Sequence, residues 1–134
     1  MDNRDDKDWI QIWYKETAAN VRWNKDQGWK AVQWTLALFA VIGAGARSHV
    51  FPRGVWCVFI VLLLCAVIGW LYALHKSTKQ ERIIGEGLVA ELAARRQYLP
   101  ALEDPEKWNW ILIGKIVLLG VAAVVVSADI LSSA

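Results

Sequence analysis

Histidine and cysteine side chains, which could bind a metal or act as nucleophiles, are few in this sequence and lie far apart. His49 and His75 stand at the two ends of one apolar block, so a helix through that block would separate them by about 39 Å. Cys57 and Cys65 lie within the block, eight residues apart, which is about 12 Å along a helix and too far for a disulfide bond. We therefore predict that both cysteines are free and act as small packing residues.

The short motifs that build a catalytic or phosphate-binding site are absent from the sequence. It contains no H-x-x-x-H, C-x-x-C, G-x-S-x-G or phosphate-loop pattern, each of which holds reactive groups at a fixed spacing. A metal site would need clustered His, Cys or carboxylate ligands, and we find no such cluster on one side of the apolar blocks. We predict a protein that is not an enzyme, with no catalytic residues, no cofactor and no metal site.

Three apolar blocks make up most of the remaining sequence. Residues 31–46 and 54–74 contain no charged residue, and residues 108–128 contain only Lys115. A helix needs about 20 apolar residues to cross the hydrocarbon core of a bilayer. The second and third blocks reach that length, and the first approaches it from residue 30. A helix buried in the protein core is the alternative for the first block.

These blocks predict an all-α membrane protein that forms a single domain over residues 1–134. Three transmembrane helices would span about 30–46, 54–74 and 108–128. The first two would continue into cytoplasmic helices, at about 9–29 and 76–99, that pack together. Apolar side chains on these extensions would otherwise face water, so we predict that they form a packing face or a face for a partner. Its residues are Trp9, Trp13, Ile84, Leu88 and Leu92.

Lysine and arginine are distributed unevenly between the two sides of the predicted spans. Residues 1–30 and 75–107 carry six each, and residues 47–53 carry two. With three spans, the first two segments share one side, and the positive-inside rule places that side in the cytoplasm. We predict a multi-pass membrane protein with a cytoplasmic N-terminus and an external C-terminus. Acidic residues alternate with the basic ones, so no nucleic-acid-binding stripe forms and no nucleic-acid partner is expected.

Lys115 is the one charged residue inside an apolar block, about 10 Å from Trp108 along the helix. One interpretation is that its long stem snorkels back to the headgroups through lipid. The other is that it faces a polar interior. Lys115, Ala122 and Asp129 recur at heptad spacing, so one face of the third helix could line a narrow oligomeric pore with these three residues.

The layout of residues 9–95 resembles that of a class of small bacterial membrane effectors. The run WIQIWYKETAANVRWNKDQGWKAVQWTLALFAVIGAG leads into a second span and then into KSTKQERIIGEGLVAEL. This order of amphipathic helix, transmembrane hairpin and returning helix is similar to the SLATT-like, two-transmembrane effectors of antiphage systems. The resemblance implies an effector that oligomerises and permeabilises the inner membrane when a sensor releases it.

Two functions from different classes follow as predictions. The first is an oligomeric inner-membrane effector that forms a channel or permeabilises the membrane, as in antiphage defence. The second is a non-enzymatic membrane anchor or assembly subunit that docks a soluble partner through its cytoplasmic helices. The expected partners are membrane lipid, further copies of the chain, and a soluble sensor or regulatory protein.

Overall fold

The computed structural model describes residues 5–94 and 105–133, and the side chains of residues 8–91 and 107–133. These residues form three helices, α1 (Asp5–Ala46), α2 (Arg53–Ala94) and α3 (Pro105–Ser132). At 42 residues each, α1 and α2 are about 63 Å long. Each of the three helices is long and apolar enough to cross a membrane. The predicted helical class and the three spans are confirmed at this level, and residues 95–99 of the predicted second helix lie outside the described residues.

A short loop, residues 47–52, joins α1 and α2 into an antiparallel hairpin. The last carbonyls of α1 accept hydrogen bonds from the amides of Arg47 and Ser48, and the Pro52 carbonyl accepts one from Val55. His49 turns the chain in the left-handed region, with a φ of 56°, a conformation that histidine adopts more readily than most residues. We call this the hairpin end of the bundle, and the end with the N-terminus of α1 the open end.

Two apolar clusters hold the three helices together, and each helix contributes to both. The cluster in the middle of the bundle is built on Val32, Leu71 and Leu119. The cluster nearer the hairpin end contains Phe39, Ala46, Ile60, Ala123 and Ile130. Because α1 and α3 enter both clusters in the same order, α3 runs parallel to α1 and antiparallel to α2.

The contact between α1 and α2 continues beyond these clusters as a seam of small and polar side chains. Buried residues of α1 recur at intervals of three and four, as in helices that pack in a left-handed coil. The side-chain amide of Asn24 donates to the hydroxyl of Ser77 across the seam at 3.5 Å. The hydroxyls of Thr35 and Thr78 donate to the carbonyls four residues before them, so they are satisfied without a partner helix. The buried residues of this seam on α1 are Tyr14, Thr17, Val21 and Asn24.

The large apolar residues that we expected to pack between the helical extensions lie outside this seam. Trp9, Trp13 and Ile84 are 64%, 57% and 51% exposed, so the prediction that they pack within the chain is wrong. Leu88 is half-buried, and the side chain of Leu92 lies outside the described residues. The physical reason is helical spacing: Tyr14 and Thr17 occupy the inward positions, which turns Trp9 and Trp13 away from α2.

The outer surface of the apolar segments is covered with large hydrophobic side chains. On α1, Trp34 and Val41 are 71% and 67% exposed, and α2 and α3 carry similar outward residues. A soluble monomer rarely exposes an apolar surface of this extent, whereas lipid would cover it. The alternative that the first block is a helix buried in the protein core does not describe this chain.

Replacing a buried leucine of α3 should destabilise the bundle, and its exposed neighbour supplies a matched control. Leu119 is fully buried, whereas Leu118 is 45% exposed. We expect Leu119→Ala to lower the free energy of unfolding by about 2 kcal/mol, the low end for buried leucines because lipid is as apolar as the core. Leu118→Ala should change it by less than about 0.5 kcal/mol. Unfolding in mixed micelles with increasing denaturing detergent measures both values, and equal values for the two variants would contradict the packing.

Candidate functional site

Lys115 is the residue with the clearest potential for function, and it lies inside the bundle. α3 places it one turn before Leu119, so it borders the middle apolar cluster. Its side chain is only 7% exposed. Its ammonium nitrogen lies 4.7 Å from the centre of the Trp29 ring of α1, within the range of a cation–π interaction. Among the described residues, no carboxylate lies within ion-pair distance of Lys115.

A glycine on α1 makes room for this lysine. A β-carbon at Gly28 would lie 2.8 Å from the Lys115 ammonium nitrogen, closer than β-carbons approach other atoms in folded proteins, so the flexible lysine would have to shift. The absence of a side chain at residue 28 therefore lets the ammonium group rest directly on the backbone of α1. Lys115 thus extends along the contact between α1 and α3. The snorkelling interpretation expected its stem to run over the lipid-facing surface, and the structure does not place it there.

A second lysine–tryptophan contact joins the same two helices in the opposite sense. The Lys25 ammonium of α1 lies 5.3 Å from the centre of the Trp108 ring of α3. Each helix thus supplies one cation and one ring, and we call these two contacts the crossed pairs. A cation–π contact contributes about 0.5–2 kcal/mol, more when it is shielded from water. Because the two contacts lie one after the other along the helices, together they define the axial position of α3 against α1.

Asp129, near the end of α3, makes its main contact at the hairpin end. Its carboxylate accepts a hydrogen bond from the guanidinium of Arg47 at 3.1 Å. Both side chains are largely exposed, so the pair contributes at most about 1 kcal/mol. A cavity of about 250 Å³ lies beside it, and it is also lined by His49 and Arg53.

The three residues predicted to line a pore do not meet at one place. Ala122 is half-buried against the cluster nearer the hairpin end, and fourteen residues separate Lys115 from Asp129, which is about 21 Å of helix. Lys115 and Ala122 both face the other helices of their own chain. Their role as pore-lining residues remains a prediction.

An exposed aromatic surface runs along the outer side of α1. Its residues fall within about 100° of one another around a helix with 3.6 residues per turn, and their exposure shows that neither α2 nor α3 covers them. From the first to the last it covers about 37 Å of helix, which includes both the polar N-terminal half and the start of the apolar segment. All of its members are more than half exposed. We call it the tryptophan face, and it consists of Trp9, Ile12, Trp13, Trp23 and Trp34.

The sequence contained signals for the features that its hydrophobic pattern did not indicate. Thr17 and Asn24 are seven residues apart on α1, and the same interval separates Trp108 from Lys115 on α3. A seven-residue interval returns a side chain to nearly the same face of a helix, so the two residues of each pair share a face. Which lysine would meet which tryptophan could not be read from spacing, because it depends on the register between two helices.

Comparison with protein-family models, with curated proteins and with solved structures finds no match to this chain. The similarity to SLATT-like effectors therefore rests on layout alone and remains a prediction. Within the part of the chain that the structure describes, no group of three or more His, Cys, Asp or Glu side chains is placed to hold a metal ion. Both cysteines are free, as predicted. Cys57 packs against the cluster nearer the hairpin end, whereas Cys65 is exposed and does not pack within the chain as predicted.

Thiol labelling can tell a buried residue 115 from one that lines an aqueous pathway. In a variant whose native cysteines are replaced by serine, we expect Lys115→Cys to react with a water-soluble maleimide at least about tenfold more slowly than Lys76→Cys, which lies on an exposed site of α2. The physical reason is that α1 covers residue 115. Rapid labelling of Lys115→Cys in the folded protein would show that water reaches this position and would contradict its burial.

Proposed function

We propose that the protein is a non-enzymatic, multi-pass protein of the bacterial inner membrane that assembles into oligomers and conducts ions or permeabilises the membrane. The observation that carries this proposal is Lys115, a cation buried at the contact between two membrane-length helices and in contact with Trp29. A charge within a span is energetically expensive, and such residues commonly mark an ion pathway or a switch. The layout resembles that of antiphage effectors, and defence is the biological setting we propose.

The tryptophan face supports self-association. It extends from the polar half of α1 into the apolar segment. A partner that covers all of it must therefore change from a water-exposed surface to a membrane-embedded surface at the same level along the helix. A second copy of this chain meets that requirement, since its own α1 has the same division. Tryptophan is also among the residues that contribute most to protein interfaces. We therefore assign the face to contacts between copies.

Under this proposal, the conformation described here is a closed form. The Lys115 ammonium group rests on Gly28 and Trp29, and Ala122 packs against the cluster nearer the hairpin end. For α3 to line a pathway between subunits, it would have to turn this side away from α1. The crossed pairs oppose that rotation, so their loss should favour the open form.

A membrane anchor that docks a soluble partner is the second candidate function, and one observation favours it. Trp9, Ile12, Trp13 and Trp23 are exposed on the part of α1 that precedes the apolar block. A soluble protein could cover these four residues without entering the membrane. Ion flux distinguishes the candidates, because a membrane anchor forms no ion pathway.

The orientation of the chain can be tested by labelling intact cells. From the distribution of Lys and Arg we expect cysteines at Ser48 and Ser133 to react with an impermeant maleimide added outside, and a cysteine at Ser77 to react only after lysis. All three sites are exposed on the protein, so access depends on the side of the membrane. The reverse pattern would contradict the cytoplasmic N-terminus.

Oxidative cross-linking tests assembly through the tryptophan face, and adjacent residues supply a control at the same height. Trp23 lies on the face at 58% exposure, whereas Arg22 is exposed on another side of α1. With the native cysteines replaced, we expect Trp23→Cys to form a disulfide-linked dimer in membranes and Arg22→Cys to remain mostly monomeric. Equal cross-linking of both variants, or of neither, would argue against this interface.

Conduction is tested with purified full-length protein in liposomes. If Lys115 lines the open pathway, its positive charge should favour anions. We then expect Lys115→Glu to reverse the preference between anions and cations, and Lys115→Leu to reduce conductance without loss of insertion. Lys76→Glu, the same charge change on an exposed site of α2, should leave the preference unaltered. Wild-type protein that assembles but never conducts would favour the anchor over the channel.

A further inference from the structure

A small cavity between α2 and α3 carries a set of basic side chains for which neither candidate function accounts. It measures about 130 Å³ and lies on the open-end side of the apolar segments. His75, at the end of the second apolar block, and Trp108, at the start of the third, place it at the predicted boundary between lipid and water. It is lined by His75, Thr78, Lys79, Arg82, Trp108 and Asn109, none of which is acidic.

Arg82 is the unusual member of this set. It is 7% exposed, and its Nε atom is buried without a hydrogen-bond partner. The nearest described carboxylate belongs to Glu86, at 3.9 Å from a terminal guanidinium nitrogen, and that side chain is 64% exposed. A buried guanidinium with an unpaired donor is costly. Among the described residues, Arg82 is therefore paired only with this exposed carboxylate at the limit of ion-pair distance, and its buried Nε donor has no partner.

The other lining residues complete a donor set. His75, Lys79 and Arg82 follow one another at intervals of four and three, so they lie on one face of α2. The Thr78 hydroxyl donates its one proton to the Leu74 carbonyl at 2.8 Å, so it is not one of these donors. Arginine and lysine together suit a phosphate, because one offers a fork of donors and the other a mobile charge.

We propose that this cavity binds the phosphate of an anionic phospholipid. The location selects a lipid over a soluble anion, because the cavity lies between two membrane-length helices at headgroup height. In the proposed orientation it faces the cytoplasmic leaflet, where basic pockets between helices meet anionic headgroups. Its volume is well above the roughly 10–15 Å³ that one water requires, so a tetrahedral oxyanion can enter. This proposal rests on membrane insertion and does not depend on conduction.

Native mass spectrometry of the full-length protein in a neutral detergent tests the site directly. Dioleoyl phosphatidylglycerol is the anionic probe, and dioleoyl phosphatidylcholine is the zwitterionic comparison. We expect the wild-type protein to retain phosphatidylglycerol preferentially. Lys79→Gln should weaken its binding about fivefold, as expected for the loss of one ion pair to the phosphate at an exposed position. Lys76→Gln removes the same charge from an exposed site of α2 outside the cavity and should bind as the wild type does.

Arg82→Gln provides a second test. Because Arg82 is buried, circular dichroism first checks that this variant keeps the helix content of the wild-type protein. Lys79 is exposed, so Lys79→Gln keeps the test decisive even if Arg82→Gln fails to fold. Equal losses in Lys79→Gln and Lys76→Gln would indicate general charge attraction and overturn the proposal. Equal binding of the two lipids would also overturn it. Displacement of phosphatidylglycerol by millimolar inorganic phosphate would identify a soluble anion as the ligand and overturn the assignment to lipid.

Discussion

Close contact between α1 and α2 is the constraint on which the rest of the bundle depends. Both helices are 42 residues long, and each has one apolar and one polar half. Large apolar side chains alone could not join them in both environments, because lipid removes the hydrophobic advantage of burying such residues. Threonine and asparagine at the seam allow a close approach in lipid and remain compatible with water. The hydrogen bond between Asn24 and Ser77 lies beyond the first apolar block and joins the two helices there.

The position of α3 follows from this hairpin. Once α1 is fixed against α2, Val32 and Leu71 offer Leu119 a fully enclosed site, and the crossed pairs define how far α3 extends along α1. Lys115 then has a place that is neither lipid nor bulk water, since Gly28 provides the space and Trp29 provides the attractive ring face. The same contacts restrain the side of α3 that would line a pore. Under the channel proposal, this restraint must be strong enough to keep the protein closed and weak enough to release.

The class of fold could be predicted from the sequence, whereas the residues that meet could not. Leaving apolar blocks such as 54–74 and the run around Lys115 in water would cost free energy. Three membrane-length helices could therefore be predicted from composition alone. The expectation that Trp9 and Trp13 pack against Ile84 assumed that the largest apolar residues face inward. Their exposure reflects the inward positions taken by Tyr14 and Thr17. The burial of Arg82 was also beyond prediction, because it depends on how α3 covers α2, and no spacing within one helix contains that information.

The seam is most directly tested by a distance between its two helices outside the apolar blocks. Spin labels at Lys15 and Glu86, both exposed, would sit nearly opposite each other if Asn24 faces Ser77. The labelled protein lacks native cysteines and is diluted with unlabelled protein in nanodiscs, so that only distances within one chain contribute to pulsed dipolar spectroscopy. The packed hairpin predicts one narrow distribution on the order of 25 Å, from an interaxial distance of about 8–10 Å plus two label arms. A broad distribution centred beyond about 40 Å would mean that the two halves diverge, which would contradict the seam and the placement of the tryptophan face that follows from it.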